Sequence, residues 1–252
     1  MTAFLFQSDA VSAVEKATVR QASMLADPAF EIRHASLADV RSANVVPSPE
    51  WVPLGTVEFV RAWCQLCGLP VPEPLDYPAT LRTFLRRDVR LIDPSQGPFQ
   101  PPPPGWWIKP YSTKAWNAAQ VAHGQEWPNT AFWASPNVPL RAEWRVYVCE
   151  GESLGYGRYD DGPGPDDMPL DVAALTQDMI HAFEAEHFPA AYALDVGLDC
   201  SGHALLVEVS DAWALGYYRG SCRPTDYARM LAVRWQEITA AHAPAHVPAL
   251  VS

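Results

Sequence analysis

Two apolar runs late in the chain, residues 191–198 and 203–209, are each broken by one carboxylate, Asp195 and Glu208. The link between them, Asp199-Cys200-Ser201-Gly202, predicts a hairpin turn. A carboxylate set in a buried strand needs a partner, because an unpaired buried charge is costly. The fold must therefore bring a cation to two neighbouring acidic strands. In a simple hairpin Leu198 faces His203, Ala193 faces Glu208 and Asp195 faces Leu206. The two acids are then diagonal neighbours on one face, roughly 7–8 Å apart at the backbone, with Ser210 on the same face. A one-residue slip would separate them. Two carboxylates so placed suit Mg²⁺, a hard cation that takes oxygen ligands. They equally suit arginines of the core.

The rest of the chain reads as alternating strands and helices. Residues 3–7 predict a buried strand, Asp9 a cap for a helix to about Leu25 with Val11, Val14 and Met24 among its apolar positions, and residues 30–34 a second strand. That order opens an α/β layer. Thr56 is placed to cap a helix ending at Gly68. Val57, Val60, Cys64 and Cys67 share one face of it, so the Cys64–Cys67 spacing reads as packing rather than as a zinc or redox pair. Pro78 suits the first turn of another helix, containing Leu81, Phe84 and Leu85. Six prolines between residues 94 and 104 predict a stiff connector and a boundary nearby. Short strands follow at 106–109 and 130–134. The segment 144–149 alternates, with Trp144, Val146 and Val148 on one side and Arg145 and Tyr147 on the other. Residues 154–159 return as its hairpin partner. Asp171 predicts the cap of a helix with Leu175, Met179 and Phe183 inward, and a last helix spans about 225–239.

Composition removes several classes. Hydrophobic residues make up 48% and charged residues 19%, which fits a folded chain rather than a disordered one. No apolar run is long enough for a transmembrane helix, and the N-terminus lacks the basic start and apolar stretch of a secretory leader. The net charge of -11 with scattered arginines disfavours duplex nucleic acid. Five cysteines, widely spread, predict reduced thiols and a cytoplasmic protein. No phosphate-loop, dinucleotide, nucleophile-elbow or zinc-protease motif occurs.

Positive charge is carried mostly by arginine; the lysines are only Lys16, Lys109 and Lys114. Lys109 ends an apolar strand and Lys114 follows five residues on. A lysine head group is a compact charge suited to phosphate oxygens, although two solvated surface lysines fit the same spacing. Arg145 and Arg158 face each other's strands and suit either a phosphate clamp or cross-strand ion pairs with acids such as Glu143. The ten tryptophans suit core packing or a stacking surface for a ligand.

The order of these segments is informative as a whole. A strand ends in Ile108-Lys109-Pro110. A linker follows with Trp133, Ser135 and Val138, then Glu143-Trp144-Arg145, Gly155 to Arg158, Asp195-Val196-Gly197, and Glu208-Val209-Ser210-Asp211 before Trp213 and Gly216. This resembles the ATP-grasp superfamily, and most of all its clade named for one arginine and two lysines, over about residues 50–240. The resemblance implies an α/β (α+β) fold, two-lobed, with mixed and antiparallel sheets after a small N-terminal α/β region. That region would be residues 1–92 and the ATP-grasp core 93–252, with a lid at about 93–136 and a metal and catalytic part at about 137–242.

It further implies an ATP- and Mg²⁺-dependent ligase that joins a small-molecule or peptide carboxylate to an amine through an acyl phosphate. Lys109 and Lys114 would meet ATP phosphates. Trp133, Ser135 and Val138 would meet the adenine, with Glu143 also assigned to the nucleotide. Arg145 and Arg158 would be the catalytic cations, and Asp195, Glu208, Ser210 and Asp211 the metal ligands. One departure from the family pattern is Ser210, where an Asn is usual. Two other readings remain beside this one: a nucleotide-binding module without catalysis, and a tryptophan-rich domain that binds no nucleotide.

Overall fold

Among the described residues, three separate sheets carry the fold. The computed structural model describes residues 2–10, 13–112, 116–184 and 189–242. The first sheet has β1 (Ala3–Gln7) at its centre, flanked in parallel by β2 (Glu31–Ala35) and β3 (Trp51–Leu54). All five residues of β1 are buried, as expected of a parallel strand covered on both faces. Helix α1 (Ala13–Leu25) links β1 to β2. Asp9 does a different task from the one expected: its carboxylate accepts from Leu37 N–H and Gln7 Nε2, at the entry to the short α2 (Leu37–Arg41). Val11 lies outside the described residues, and Met24 is exposed, the buried face of α1 being Thr18, Val19, Ala22 and Ser23.

Helix α3 (Val57–Leu66) starts and stops on the predicted signals. Thr56 Oγ1 accepts from Phe59 N–H at 3.3 Å, and Gly68 takes a φ of 70° just past the end. Val57, Val60, Trp63 and Cys64 are buried, and Cys64 and Cys67 are free thiols. The segment after Pro78 is a 3-10 helix, Ala79–Phe84, rather than an α-helix. Arg86, with φ 49°, turns the chain away after barely two turns. Leu81 and Leu85 still face inward.

The second sheet is small and antiparallel, in the order β4 (Arg90–Ile92), β7 (Phe132–Ser135), β5 (Trp107–Pro110), β6 (Ala119–Gln120). It takes in β4, from before the proline-rich connector. Pro110 is tolerated because β6 pairs only with Trp107 and Ile108, so no partner needs its missing N–H. Ile108, Val121, Phe132 and Ala134 form its core.

The third sheet runs β11 (Ala204–Asp211), β10 (Ala191–Asp199), β8 (Leu140–Cys149), β9 (Glu152–Arg158), all antiparallel. The alternation in β8 divides its two faces. Trp144, Val146 and Val148 pack with α4 (Leu170–Glu184), while Tyr147 and Cys149 join the core shared by α5 (Pro224–Ala240) and the first sheet. Asp171 falls inside the first turn of α4 rather than at its cap.

Candidate active site

The register of the β10–β11 hairpin sets the geometry. Leu198 pairs with Ala204, not His203, and a bulge between Asp195 and Val196 leaves Val207 as an extra residue on β11. Together the two one-residue offsets keep the acids on one face and bring them closer than the simple hairpin: Asp195 and Glu208 are direct cross-strand partners. Arg87 holds the bulge, donating to Leu206 O at 2.7 Å and Val207 O at 2.8 Å.

On the other side of β10, Asp195 pairs with Arg145 of β8. The two side chains form a fork, Arg145 Nε to Asp195 Oδ1 at 2.7 Å and Nη2 to Oδ2 at 2.6 Å. Three adjacent strands thus carry Arg145, Asp195 and Glu208 in a row. Asp195 is only 2% exposed. Burial pushes its carboxyl up to about 6, against the pull of Arg145. The Arg145 guanidinium also lies over the rings of Tyr218 and Tyr159, 5.3 and 5.8 Å from their centroids, and those rings stack on each other. Tyr159 donates to Glu143 Oε2 at 2.7 Å, and burial raises the Glu143 carboxyl.

From the second sheet, Lys109 reaches across to this row. Its Nζ donates to Glu208 Oε2 and to Asp76 Oδ1, each at 2.6 Å. Burial opposes its charge, but Glu208, Tyr77 and Asp76 outweigh burial and hold Lys109 above the usual lysine range. Trp133, the cross-strand partner of Lys109, donates from Nε1 to Asp76 Oδ2 at 2.8 Å.

The Lys109–Glu208 pair stands where two cavities meet. One, of about 460 Å³, lies between the second and third sheets and is lined by Ile108, Trp133, Ser135, Val138, Leu205 and Val207, with Glu143 and Arg87 also facing it. The other, of about 500 Å³, is lined by Asp76, Arg145, Ser210, Leu215, Trp213 and Tyr218.

Most of the predicted residues converge here. Lys109, Trp133, Ser135, Val138 and Glu143 line the first cavity, and Arg145, Glu208 and Ser210 the second. Burial opposes the charge of Glu208, yet Lys109, helped by the Ser210 hydroxyl two residues along the same face of β11, holds its carboxyl below the ordinary value. Two predicted residues have their side chains engaged by other partners. Asp211 also borders the second cavity, but its carboxylate is forked onto Arg234 of α5, at 2.8 and 2.7 Å. Arg158 faces neither cavity; it clasps the loop after β9, bonding Asp160, Asp166 and the carbonyls of Gly162 and Gly164. Lys114 lies outside the described residues. Sequence reasoning misses Asp76, Tyr77, Arg87, Tyr159 and Tyr218, because none sits in a periodic or charge pattern that marks it.

A family model for an ATP-grasp domain, family 3 of the clade named for one arginine and two lysines, matches residues 10–238. The chain belongs to this ATP-grasp family. No curated protein sequence matches it. Solved structures agree on the fold. D-alanine–D-alanine ligase from Bacillus anthracis is similar with a TM-score of 0.54 at 11% identity, covering 96% of this chain and 98% of that one. The RimK domain ATP-grasp protein from Sphaerobacter thermophilus gives 0.55 at 15%, covering 91% and 99%. D-cycloserine synthetase DcsG gives 0.57 at 13%, covering 92% and 99%.

The donor set of this ATP-grasp site fits a Mg²⁺ ion that arrives with phosphate. Among the described residues no three acidic, His or Cys side chains form a complete metal cage. Mg²⁺ is commonly held by one or two carboxylates plus substrate phosphates and water. Glu208 is half-buried at a cavity junction, and Asp195 has acceptor lone pairs beyond the two that Arg145 takes. Those two residues, with Ser210 beside them, would hold the ion.

Proposed function

We propose that the protein is an ATP- and Mg²⁺-dependent ligase that joins a carboxylate to an amine through an acyl phosphate. The observation that carries this reading is the Lys109–Glu208 pair at the junction of two cavities. One cavity is apolar-walled and sized for an adenine nucleotide; the other offers room for the acyl and amine substrates.

Around the junction, Asp76, Glu143, Asp195 and Glu208 face Arg87, Lys109 and Arg145. Four acids against three cations leave the site slightly acidic, so an anionic nucleotide enters best with a divalent cation. Bound there, Mg²⁺ would offset charge on the transferred phosphoryl group. Trp133, Ser135 and Val138 wall the base. Lys109 gives up Glu208 and turns to the phosphates, and Arg145 supports the group in transfer. The γ-phosphoryl passes to a carboxylate oxygen of the substrate, and ADP leaves. The amine then attacks the acyl carbon, phosphate departs, and the amine proton goes to solvent or phosphate. Walls from two sheets shield the acyl phosphate from water. The donor is a small-molecule or peptide carboxylate, and the free thiols of the protein suit a reducing, cytoplasmic setting. Among the described residues no helix is long and apolar enough to cross a membrane.

Calorimetry of Mg-ATP with wild type and Lys109→Met, followed by ATP-consumption assays with pools of amino acids and peptides, tests the reading. Mg-ATP binding clearly weakened, though still measurable, in the variant and turnover dependent on both an acid and an amine are expected. Wild type that neither binds nor consumes ATP overturns it. Ser210, where the family has Asn, favours a second reading, a nucleotide-binding module without turnover. That reading expects Mg-ATP binding without consumption, and gain of metal affinity in Ser210→Asn.

A further inference from the structure

Asp76 occupies an unusual position for a side chain outside any named strand or helix. Its φ is 42°, in the left-handed region that L-residues other than Asn, Asp and Gly avoid. Its carboxylate is 14% exposed, and both oxygens are committed, Oδ1 to Lys109 Nζ and Oδ2 to Trp133 Nε1. Its backbone is committed too: Val209 N–H donates to Asp76 O at 2.9 Å, an isolated antiparallel bridge to β11. Tyr77 completes the grip. Its ring lies 4.8 Å from Lys109 Nζ and packs edge-on against Trp133 at 5.0 Å.

Among the described residues, the sheet that carries Lys109 and Trp133 shares no strand pairing with the sheet that carries Glu208. Asp76 bridges them, with its main chain on β11 and its side chain on β5 and β7. When a cation takes Glu208, Lys109 loses one of its two anionic partners. Asp76 is then the remaining one.

We propose that Asp76 is a positioning residue: it holds Lys109 and Trp133 as one unit against β11, so that Lys109 is presented to the nucleotide phosphates and retained when Glu208 turns to a cation. This rests on the nucleotide reading given above, and the test separates the two.

Asp76→Asn is nearly isosteric and keeps an acceptor for Trp133, while removing the charge that holds Lys109. Two readouts are taken, after thermal unfolding shows that the variant folds. The first is Mg-ATP affinity by calorimetry, in wild-type and Lys109→Met backgrounds. The second is the rate of Lys109 acetylation by an amine-reactive reagent without nucleotide, read by mass spectrometry against Lys16. The expected result is about tenfold weaker Mg-ATP binding in Asp76→Asn, the size of one lost charge-assisted hydrogen bond. No further loss beyond about twofold is expected in the Lys109→Met background, since the two residues act as one, and Lys109 should label several-fold faster.

Equal weakening with and without the Lys109 amine overturns the proposal, because Asp76 then acts on the fold alone. Unchanged affinity or an unchanged labelling rate overturns it as well. If wild type fails to bind Mg-ATP, the nucleotide reading falls. Faster labelling of Lys109 then still supports the grip of Asp76 on Lys109, and an unchanged rate removes it.

Discussion

Removing Arg145 alone should cost far more than removing Arg145 and Asp195 together. The pair is joined by two charge-assisted bonds of 2.7 and 2.6 Å, and neither partner has ready access to water. Arg145→Met keeps the aliphatic stem, removes the guanidinium that lies over the two tyrosine rings, and leaves Asp195 facing a strand interior with no cation. Breaking a buried pair in this way typically costs about 3–5 kcal/mol. Asp195→Leu with Arg145→Met replaces both groups by apolar ones, and such replacements are often neutral to within about 1 kcal/mol. Asp195→Leu alone strands the Arg145 cation at a similar cost of about 3–5 kcal/mol, so the two single changes together exceed the double by at least about 5 kcal/mol, which is the coupling the double-mutant cycle should show. Urea unfolding followed by tryptophan fluorescence reads each free energy from its midpoint and slope. A coupling below about 0.5 kcal/mol, the usual scatter for independent sites, would refute the view that the fork is one buried unit.

Other outcomes follow from single residues. Burial pushes the Cys64 thiol up to about 12, and the Cys149 thiol up to about 11. Exposed Cys200 should therefore alkylate quickly at pH 8 while those two resist until the protein unfolds, as peptide mapping would show. Gly155 has φ 143°, and an added Cβ would lie 2.2 Å from the Ser221 carbonyl oxygen. Gly155→Ala should lower the melting temperature by several degrees, the scale of about 1–3 kcal/mol of strain and overpacking. Burial opposes the charge of Asp160, yet Arg158 and the N–H groups of Glu143 and Gly162 hold its carboxyl down at about 2. A lowered folded value gives stability that is present above the unfolded value of about 3.9 and lost as pH falls through about 2. The stability gap between wild type and Asp160→Asn should therefore narrow as pH drops from 5 to 2, measured by thermal unfolding.

Much of the fold is legible in the sequence because its signals are local. Thr56 and Gly68 frame α3 through contacts within a few residues, and the alternation in β8 needs only a period of two. What stays hidden depends on contacts between distant segments. The bulge at Val207 is held by Arg87, which is 120 residues away, and no turn signal in the hairpin reports it. Asp76 acquires meaning only when β5, β7 and β11 meet around it. Neighbours in sequence associate Arg158 and Asp211 with the site, but Arg158 points to the opposite face from Gly157 and finds its partners in the loop that follows it, while Asp211 closes β11, capping the short 3-10 turn Ala212–Ala214, where Arg234 of α5 takes its carboxylate.

That alternation also explains how one short stretch of β11 serves two purposes. Glu208 and Ser210 face the cavity junction, while Val209 is buried in the core behind and Asp211 is fastened to Arg234. The strand is thus held from the rear by Val209 and at its end by the Asp211–Arg234 ion pair, and its front is left to the site. A group held within a fraction of an ångström by its neighbours need not reorganise when charge develops nearby. The front itself is poised rather than locked, because Lys109, and not a second arginine fork, is the cation on Glu208. A lysine bonds as a single point charge and leaves more readily than a bidentate guanidinium. In the reaction proposed above, Asp195 with Arg145 would be the fixed half of the site, and Glu208 with Lys109 the half that changes partners.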